Sequence, residues 1–222
     1  PFDNPKVRQA AMIALSQGDF LKASVGDTRY YASCKALFTC GSPLASEAGM
    51  ADVLNGDSAK AAALLKEAGY DGTPVVILQP ADLPVLTNLA PVVKSQLEKA
   101  GFKVDVQAMD WQTMIGRVPK KGPVSEGGWN AYLTAWAQVD ILDPVMMAFL
   151  MSNCDKARPG WPCDASMEKM RDSFVRAASQ DERRRIAEAA QTLNAQIVTQ
   201  IPLGEFWNVS ATRGNIVSGE TS

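Results

Sequence analysis

Apolar residues recur at helical spacing through much of the chain, and the polar residues between them indicate where helices begin and end. Asn4 can cap a first helix that has Pro5 as its first residue and ends near residue 17. Pro91 lies inside a later apolar pattern, and because proline disrupts a helix interior we expect a bend or a late start there. Further helices are predicted over residues 19–23, 58–68, 82–100, 110–118, 145–151, 164–177 and 181–197.

Four segments have the composition of β-strands. Residues 74–80 form a continuous apolar run between two prolines, which is typical of a strand covered on both faces. Residues 103–109 alternate between apolar and polar, and residues 201–210 form a final strand. Residues 130–137 are rich in aromatic and β-branched side chains, so we expect them to be the central strand. The alternation of helices and strands predicts one α/β domain over residues 1–222, with a mixed, mostly parallel sheet flanked by helices.

A binding site is predicted just beyond residues 130–137. Asp140, Asp143 and Pro144 follow that segment, and Trp136 lies at its end. In open α/β sheets, ligands bind in the crevice outside the carboxyl ends of the strands. An aromatic side chain and two acids at that end therefore indicate a ligand site.

Composition argues against several classes of function. The 222 residues carry a net charge of −2 with both signs interspersed, so the chain lacks the basic face that binds nucleic acid. No apolar run approaches the roughly 20 residues needed to cross a bilayer. The chain has no histidine, which removes the usual general base and the commonest zinc ligand. We expect no catalytic residue, no metal ion and no cofactor.

The four cysteines indicate an oxidising compartment. Their spacing favours disulfides between Cys34 and Cys40 and between Cys154 and Cys163, although four cysteines allow three pairings. All four lie in loop-like sequence, and each disulfide would contribute about 2–3 kcal/mol. Four reduced, buried thiols or a metal cluster are the alternatives. Disulfides would place the protein outside the cytoplasm.

Six local motifs resemble those of one protein family. The chain resembles the solute-binding proteins of bacterial ABC importers that are related to dipeptide- and oligopeptide-binding proteins. The motifs occur in the order found in that family and extend over nearly the whole chain. They are PFDNPKVRQAAMIAL, AKAAALLKEAGYDG, LEKAGFKVDVQAMDWQT, WNAYLTAWAQVDILDP, GWPCD and IPLGEFW.

The resemblance implies a fold, a location and partners. Members of this family have two lobes of the type II periplasmic-binding-protein fold, which close on a ligand, and this chain resembles only the second lobe. We therefore expect a fragment whose N-terminal partner lobe and hinge strands are absent, and whose hinge-side face exposes apolar surface. The resemblance implies a periplasmic protein that delivers a peptide or similar solute to an ABC permease. The opening residues do not resemble a signal peptide, so we expect a leader that was removed or an excised fragment.

The resemblance also implies roles for individual residues. The family commonly has an aspartate shortly after a strand tryptophan, and its carboxylate pairs with the free α-amino group of a peptide. Asp140 is the candidate here, with Trp136 lining the cleft. Three residues separate Trp136 from Asp140, where peptide-binding members have two, so Asp143 is the second candidate. Arg117 could bind a ligand carboxylate through its guanidinium fork.

Less specific interpretations and other functions remain open from the sequence. Asp140 could cap the following helix, Trp136 could lie in the core, and Arg117 could be a solvated residue at a helix end. A secreted hydrolase that uses Asp140 and Asp143 as acid and base needs no histidine. A sensor or adaptor domain could use the same lobe to bind a protein partner.

Overall fold

The computed structural model describes residues 1–209, and these form an α/β arrangement with two small sheets. The larger sheet is parallel and has the strand order β3-β2-β4; the smaller one is an antiparallel pair of β1 and β5. The final strand predicted over residues 201–210 is thus reduced to two residues in a separate sheet, and Ser210 lies outside the described part of the chain. The strands are β1 (Tyr31–Ala32), β2 (Val75–Pro80), β3 (Val104–Met109), β4 (Ala131–Tyr132) and β5 (Glu205–Phe206).

β2, and not the segment at residues 130–137, is the central strand. All six residues of β2 are buried, and it pairs in parallel with β3 along its whole length. β4 pairs with β2 through only two residues, so the prediction of a central strand there is wrong. The backbone amide of Leu133 still donates to the carbonyl oxygen of Leu78, but residues 135–139 are exposed and have no covering layer to hold them in a ladder.

The described residues contain eight α-helices. Side chains of Asn4, Asp57, Asp110 and Asp164 cap four of them, and the cap at Asn4 confirms the prediction from the sequence. Ser179 caps the last. The helices are α1 (Pro5–Ala14), α2 (Gln17–Ser24), α3 (Ser58–Glu67), α4 (Pro84–Thr87), α5 (Leu89–Lys99), α6 (Trp111–Arg117), α7 (Ala165–Arg176) and α8 (Gln180–Ile197). α4, α5 and α6 pack on the larger sheet, while α7 packs on α8 and α8 on α1.

Two helix predictions need correction. The pattern over residues 82–100 forms two helices, and the break falls at Asn88 rather than at Pro91. Pro91 is the third residue of α5, where the backbone amide has no partner within the helix and proline is tolerated. Residues 145–151 form only a short 3-10 turn at Ala148–Leu150.

The largest hydrophobic core is built around α1, which packs against α3, α5 and α8. Ala10, Ala11 and Ala14 are almost completely buried, and their small side chains let the neighbouring helices approach closely. Two long side chains join the first helix to the last: Nε of Arg8 donates to the carbonyl oxygen of Ile197 (2.7 Å), and Nε2 of Gln9 donates to that of Gln196 (2.6 Å). Within residues 1–209, none of the helices combines the length and the apolar character that a membrane span requires.

Candidate functional site

A broad concavity borders the segment that follows β4. Its volume is about 1270 Å³, and residues 129–139, 158–164 and 197–208 contribute to its walls. We call it the main concavity. Its walls include many aromatic side chains, which favour organic ligands with apolar groups. They include Trp129, Tyr132, Trp136, Phe149, Trp161, Phe206 and Trp207.

Trp136 lies on the wall of the main concavity and not in the core. Its side chain is 38% exposed, and its ring meets that of Phe149 edge to face with the centroids 5.0 Å apart. The guanidinium carbon of Arg158 lies 4.9 Å from the Trp136 ring centroid and 5.5 Å from that of Phe149. These distances are typical of cation–π contacts. The three side chains thus form one aromatic and cationic cluster.

A smaller cavity of about 290 Å³, which we call the side cavity, contains Asp140 in its wall. Asp140 is half-buried, and its carboxylate accepts no hydrogen bond from the residues that the structure describes. Trp136 and Arg158 line both the side cavity and the main concavity. The structure therefore brings Asp140 and Trp136 together, and it adds Arg158 to them.

Asp143 has a local structural task. Its Oδ1 accepts hydrogen bonds from the backbone amides of Val145 (2.7 Å) and Met146 (2.9 Å). Capping of this kind satisfies amides at the start of a turn. Asp143 lines neither cavity. Of the two candidate acids, Asp140 is thus the one that remains available to a ligand.

Arg117 is engaged by its own protein. Its Nε donates to the carbonyl oxygen of Gly127 (2.8 Å), its NH2 group to that of Gly128 (3.1 Å) and its NH1 group to Oε1 of Gln107 (2.5 Å). These bonds tie the loop before β4 to β3. Arg117 lines neither cavity, so the geometry gives its predicted ligand role no support.

Tyr132 and Trp129 form the back of the site. Burial raises the pKa of the Tyr132 hydroxyl, and the nearby charge of Arg158 opposes this increase. The indole nitrogen of Trp129 donates to the carbonyl oxygen of Val118 (3.0 Å), while its ring packs edge to face on Tyr132 and tilted on Trp161. The aromatic wall is thus fixed by packing and by a hydrogen bond.

Arg158 was not predicted from the sequence. The residue lies between Cys154 and Cys163, in a loop whose sequence carries no regular pattern. The structure joins these two cysteines in a disulfide and joins Cys34 to Cys40 in another. The cysteine spacing could have indicated a small rigid loop, but nothing local indicates that the loop faces Trp136.

The disulfides account for all four thiols, so the alternatives of free thiols and of a metal cluster are not observed among residues 1–209. Glu205 lies near Cys34 and Cys40, but both sulfur atoms are bonded to each other. The Glu205 carboxylate instead accepts a hydrogen bond from the backbone amide of Cys40 (2.8 Å). Its role there is structural.

Sequence comparisons with a family model and with individual proteins all match solute-binding proteins. The model of the middle region of bacterial extracellular solute-binding proteins, family 5, matches residues 1–158. A probable peptide ABC transporter periplasmic-binding protein of Sinorhizobium fredii is 30% identical over 206 residues, which are 92% of this chain and 39% of that protein. A glutathione-binding protein of Pectobacterium atrosepticum is 32% identical over 141 residues, which are 62% of this chain and 26% of that protein.

Solved structures show the same fold. The ABC transporter substrate-binding protein CtaP of Listeria monocytogenes superposes with a TM-score of 0.78 at 18% identity, covering 92% of this chain and 41% of that one. A dipeptide-binding protein of Pseudoalteromonas sp. SM9913, solved with Met-Leu, gives a TM-score of 0.73 at 21% identity and covers 93% and 40%. The chain thus spans about two fifths or less of the length of these relatives, and its lobe has the type II periplasmic-binding-protein fold.

Proposed function

This chain belongs to family 5 of the bacterial extracellular solute-binding proteins, and we propose that it is one lobe of a two-lobed protein that delivers a peptide or similar small solute to an ABC importer. The observation that carries the proposal is the half-buried Asp140 carboxylate beside the exposed Trp136 ring. An acid without a partner among residues 1–209, next to an aromatic wall, suits a ligand that presents an ammonium group and an apolar side chain.

The proposed mechanism is closure of two lobes around the ligand. The partner lobe would cover the main concavity, and the ligand would stabilise the closed state through its higher affinity for that state. An ABC permease in the membrane would then recognise the closed form. This proposal implies that the whole protein is exported to the periplasm, which agrees with its two disulfides.

Within this mechanism, Asp140 would bind the α-amino group of the ligand. An ammonium group paired with a carboxylate in a largely apolar cavity is shielded from water, so loss of one partner costs about 2–5 kcal/mol. Asp143 would not serve as an alternative, because two backbone amides occupy its Oδ1 and it lines neither cavity. That occupation also removes support for a hydrolase with Asp140 and Asp143 as acid and base, and we propose that the protein is not an enzyme.

The experiment that tests this function is native mass spectrometry of the two-lobed parent protein, purified from its host compartment without refolding. We expect a series of retained peptide masses. Asp140→Asn should weaken binding of such a peptide by about 30-fold or more in calorimetry. Asp143→Asn is the matched control, because asparagine keeps the oxygen that accepts from the two amides and removes only the charge, so the affinity should stay within a few fold.

Other results would change the proposal in defined ways. A single retained mass that is not a peptide would keep the importer function and assign a different solute. A parent protein that retains nothing and binds no peptide in calorimetry would contradict the proposed function and favour an adaptor domain. Peptide hydrolysis that disappears in the Asp140→Asn variant would contradict the proposal that the protein is not an enzyme.

A further inference from the structure

The loop that carries Arg158 is closed and internally bonded. The Cys154–Cys163 disulfide joins its ends, and Asn153 and Cys163 form an antiparallel bridge. Within the loop, the amide of Trp161 donates to the carbonyl oxygen of Arg158 (2.9 Å), and the amide of Cys154 donates to that of Pro162 (3.0 Å). Few conformations remain for such a loop, so the position of the Arg158 backbone is fixed before any ligand binds.

The Arg158 guanidinium is oriented but not paired. It lies over the rings of Trp136 and Phe149, and its Nε is shielded from solvent. Among residues 1–209, this Nε has no hydrogen-bond partner, and no carboxylate lies within ion-pair distance of the guanidinium. A shielded charge without a partner is unfavourable. The cluster is therefore suited to bind an anionic group that residues 1–209 do not supply.

Two other cations near the main concavity, Arg8 and Lys121, are engaged. Arg8 donates to the carbonyl oxygens of Ile197, Phe2 and Asp3. Lys121 lies over the Trp161 ring and pairs with the carboxylate of Asp155. Arg158 differs from both, because it lines both cavities and its guanidinium makes no ion pair with residues 1–209.

We propose that Arg158 binds a carboxylate group of the ligand. A planar guanidinium held by stacking can offer two parallel N–H donors, and this arrangement matches the two oxygens of a carboxylate. A phosphate dianion fits less well, because one guanidinium supplies a single positive charge and the Asp140 carboxylate lines the same side cavity. The inference rests on the proposed function and names the ligand class more closely: the solute is a carboxylic acid.

The test uses the two-lobed parent protein and three tripeptide libraries. The first has a free C-terminal carboxylate and contains neither Asp nor Glu; the second is the same library with an amidated C-terminus; the third is amidated but contains Glu. Binding of each library is compared by native mass spectrometry, and affinities of selected members are measured by calorimetry. The second library lacks any carboxylate, while the third separates a side-chain carboxylate from the C-terminal one.

We expect the wild-type protein to prefer a carboxylate-bearing library over the second by about 30-fold or more. Arg158→Gln should reduce this preference to about one, and Arg158→Lys should restore part of it, because lysine keeps the charge but lacks the fork. Arg183→Gln is the matched control: Arg183 also stacks on a ring, that of Phe174, and its Nε also lacks a partner, but it lines neither cavity. Circular dichroism of each variant verifies folding.

The results separate the inference from the function on which it rests. An unchanged preference in a folded Arg158→Gln variant, or equal binding of all three libraries by the wild-type protein, would overturn the role of Arg158 and leave the proposed function standing. Failure of the wild-type protein to bind any library would contradict the peptide function and this inference with it.

Discussion

At the scale of single residues, the sequence predicts side chains whose partners are near in the chain. The caps at Asn4, Asp110 and Asp164 each bind an amide two or three residues ahead, so position alone indicates the contact. Arg158 and Gln17 could not be predicted in this way. The rings that contact Arg158 lie outside its own disulfide loop, and the backbone groups that bind Gln17 belong to Cys34 and Pro202, so only the fold brings them together.

Gln17 gives a test at this scale. It is buried, its Oε1 accepts from the amide of Cys34 (2.9 Å), and its Nε2 donates to the carbonyl oxygens of Cys34 (2.5 Å) and Pro202 (3.0 Å). Gln17→Leu would leave these backbone groups unpaired in the interior. We expect the free energy of unfolding to decrease by about 3 kcal/mol, measured by urea denaturation.

The exposed Gln112 offers the control for this substitution. Gln112→Leu should change the free energy of unfolding by no more than about 0.5 kcal/mol. Equal effects of the two substitutions would mean that the bonds of Gln17 contribute nothing beyond the loss of a polar side chain.

At the scale of elements, the sequence predicted the position of β2, which is buried on both faces. It did not predict the short length of β4, which pairs with β2 through only two residues. The short apolar run of β2, rich in β-branched residues and bounded by prolines, favours a covered strand, and the structure contains it within one residue of the predicted start. The segment at residues 130–137 has the composition of a strand, yet most of it lacks a neighbour to pair with. Composition records how a side chain packs but not whether a partner strand is present.

The loop around Arg158 gives a test at this scale. Cys154 and Cys163 are exposed, whereas Cys34 is buried and Cys40 is half-buried. A mild reductant must reach a sulfur atom, so the Cys154–Cys163 disulfide should open several-fold faster than Cys34–Cys40. Timed alkylation followed by peptide mass spectrometry measures both rates in one sample.

The Cys34–Cys40 disulfide serves as the internal control, because both bonds meet the same reductant under the same conditions. Equal rates for the two bonds would show that the difference in burial does not persist in solution. If Cys34–Cys40 opens first, the packing of its loop against Gln17 must be weaker than the structure indicates.

At the scale of the molecule, apolar side chains are exposed along one continuous segment. Trp136, Val139, Leu142, Val145 and Met146 are each exposed by 37% or more. An exposed apolar surface of this kind is typical of an interaction site. The family resemblance predicts such a surface toward a second lobe, and it agrees with the proposal that this chain is one half of a cleft.

The matching test compares this chain with its two-lobed parent. A single lobe supplies only part of the ligand contacts and cannot close, so we expect its affinity for a peptide bound by the parent to be at least about 100-fold weaker. Calorimetry measures both affinities, and circular dichroism verifies that the isolated chain is folded. Equal affinities would contradict the two-lobed mechanism, since the main concavity would then be a complete site.

The hydrogen bonds between the first and last helices have a consequence for the time at which the protein folds. Arg8 donates a hydrogen bond to the carbonyl oxygen of Ile197, which lies 189 residues further along the chain. A ribosome that adds about 5–20 residues per second needs about 10–40 s to make that stretch. During this interval α8 is missing, and its carbonyl oxygens cannot yet accept the hydrogen bonds of Arg8 and Gln9 in α1. The core around α1 therefore reaches its native packing only after α8 has been made, so the folding of the first helix waits for the synthesis of the last.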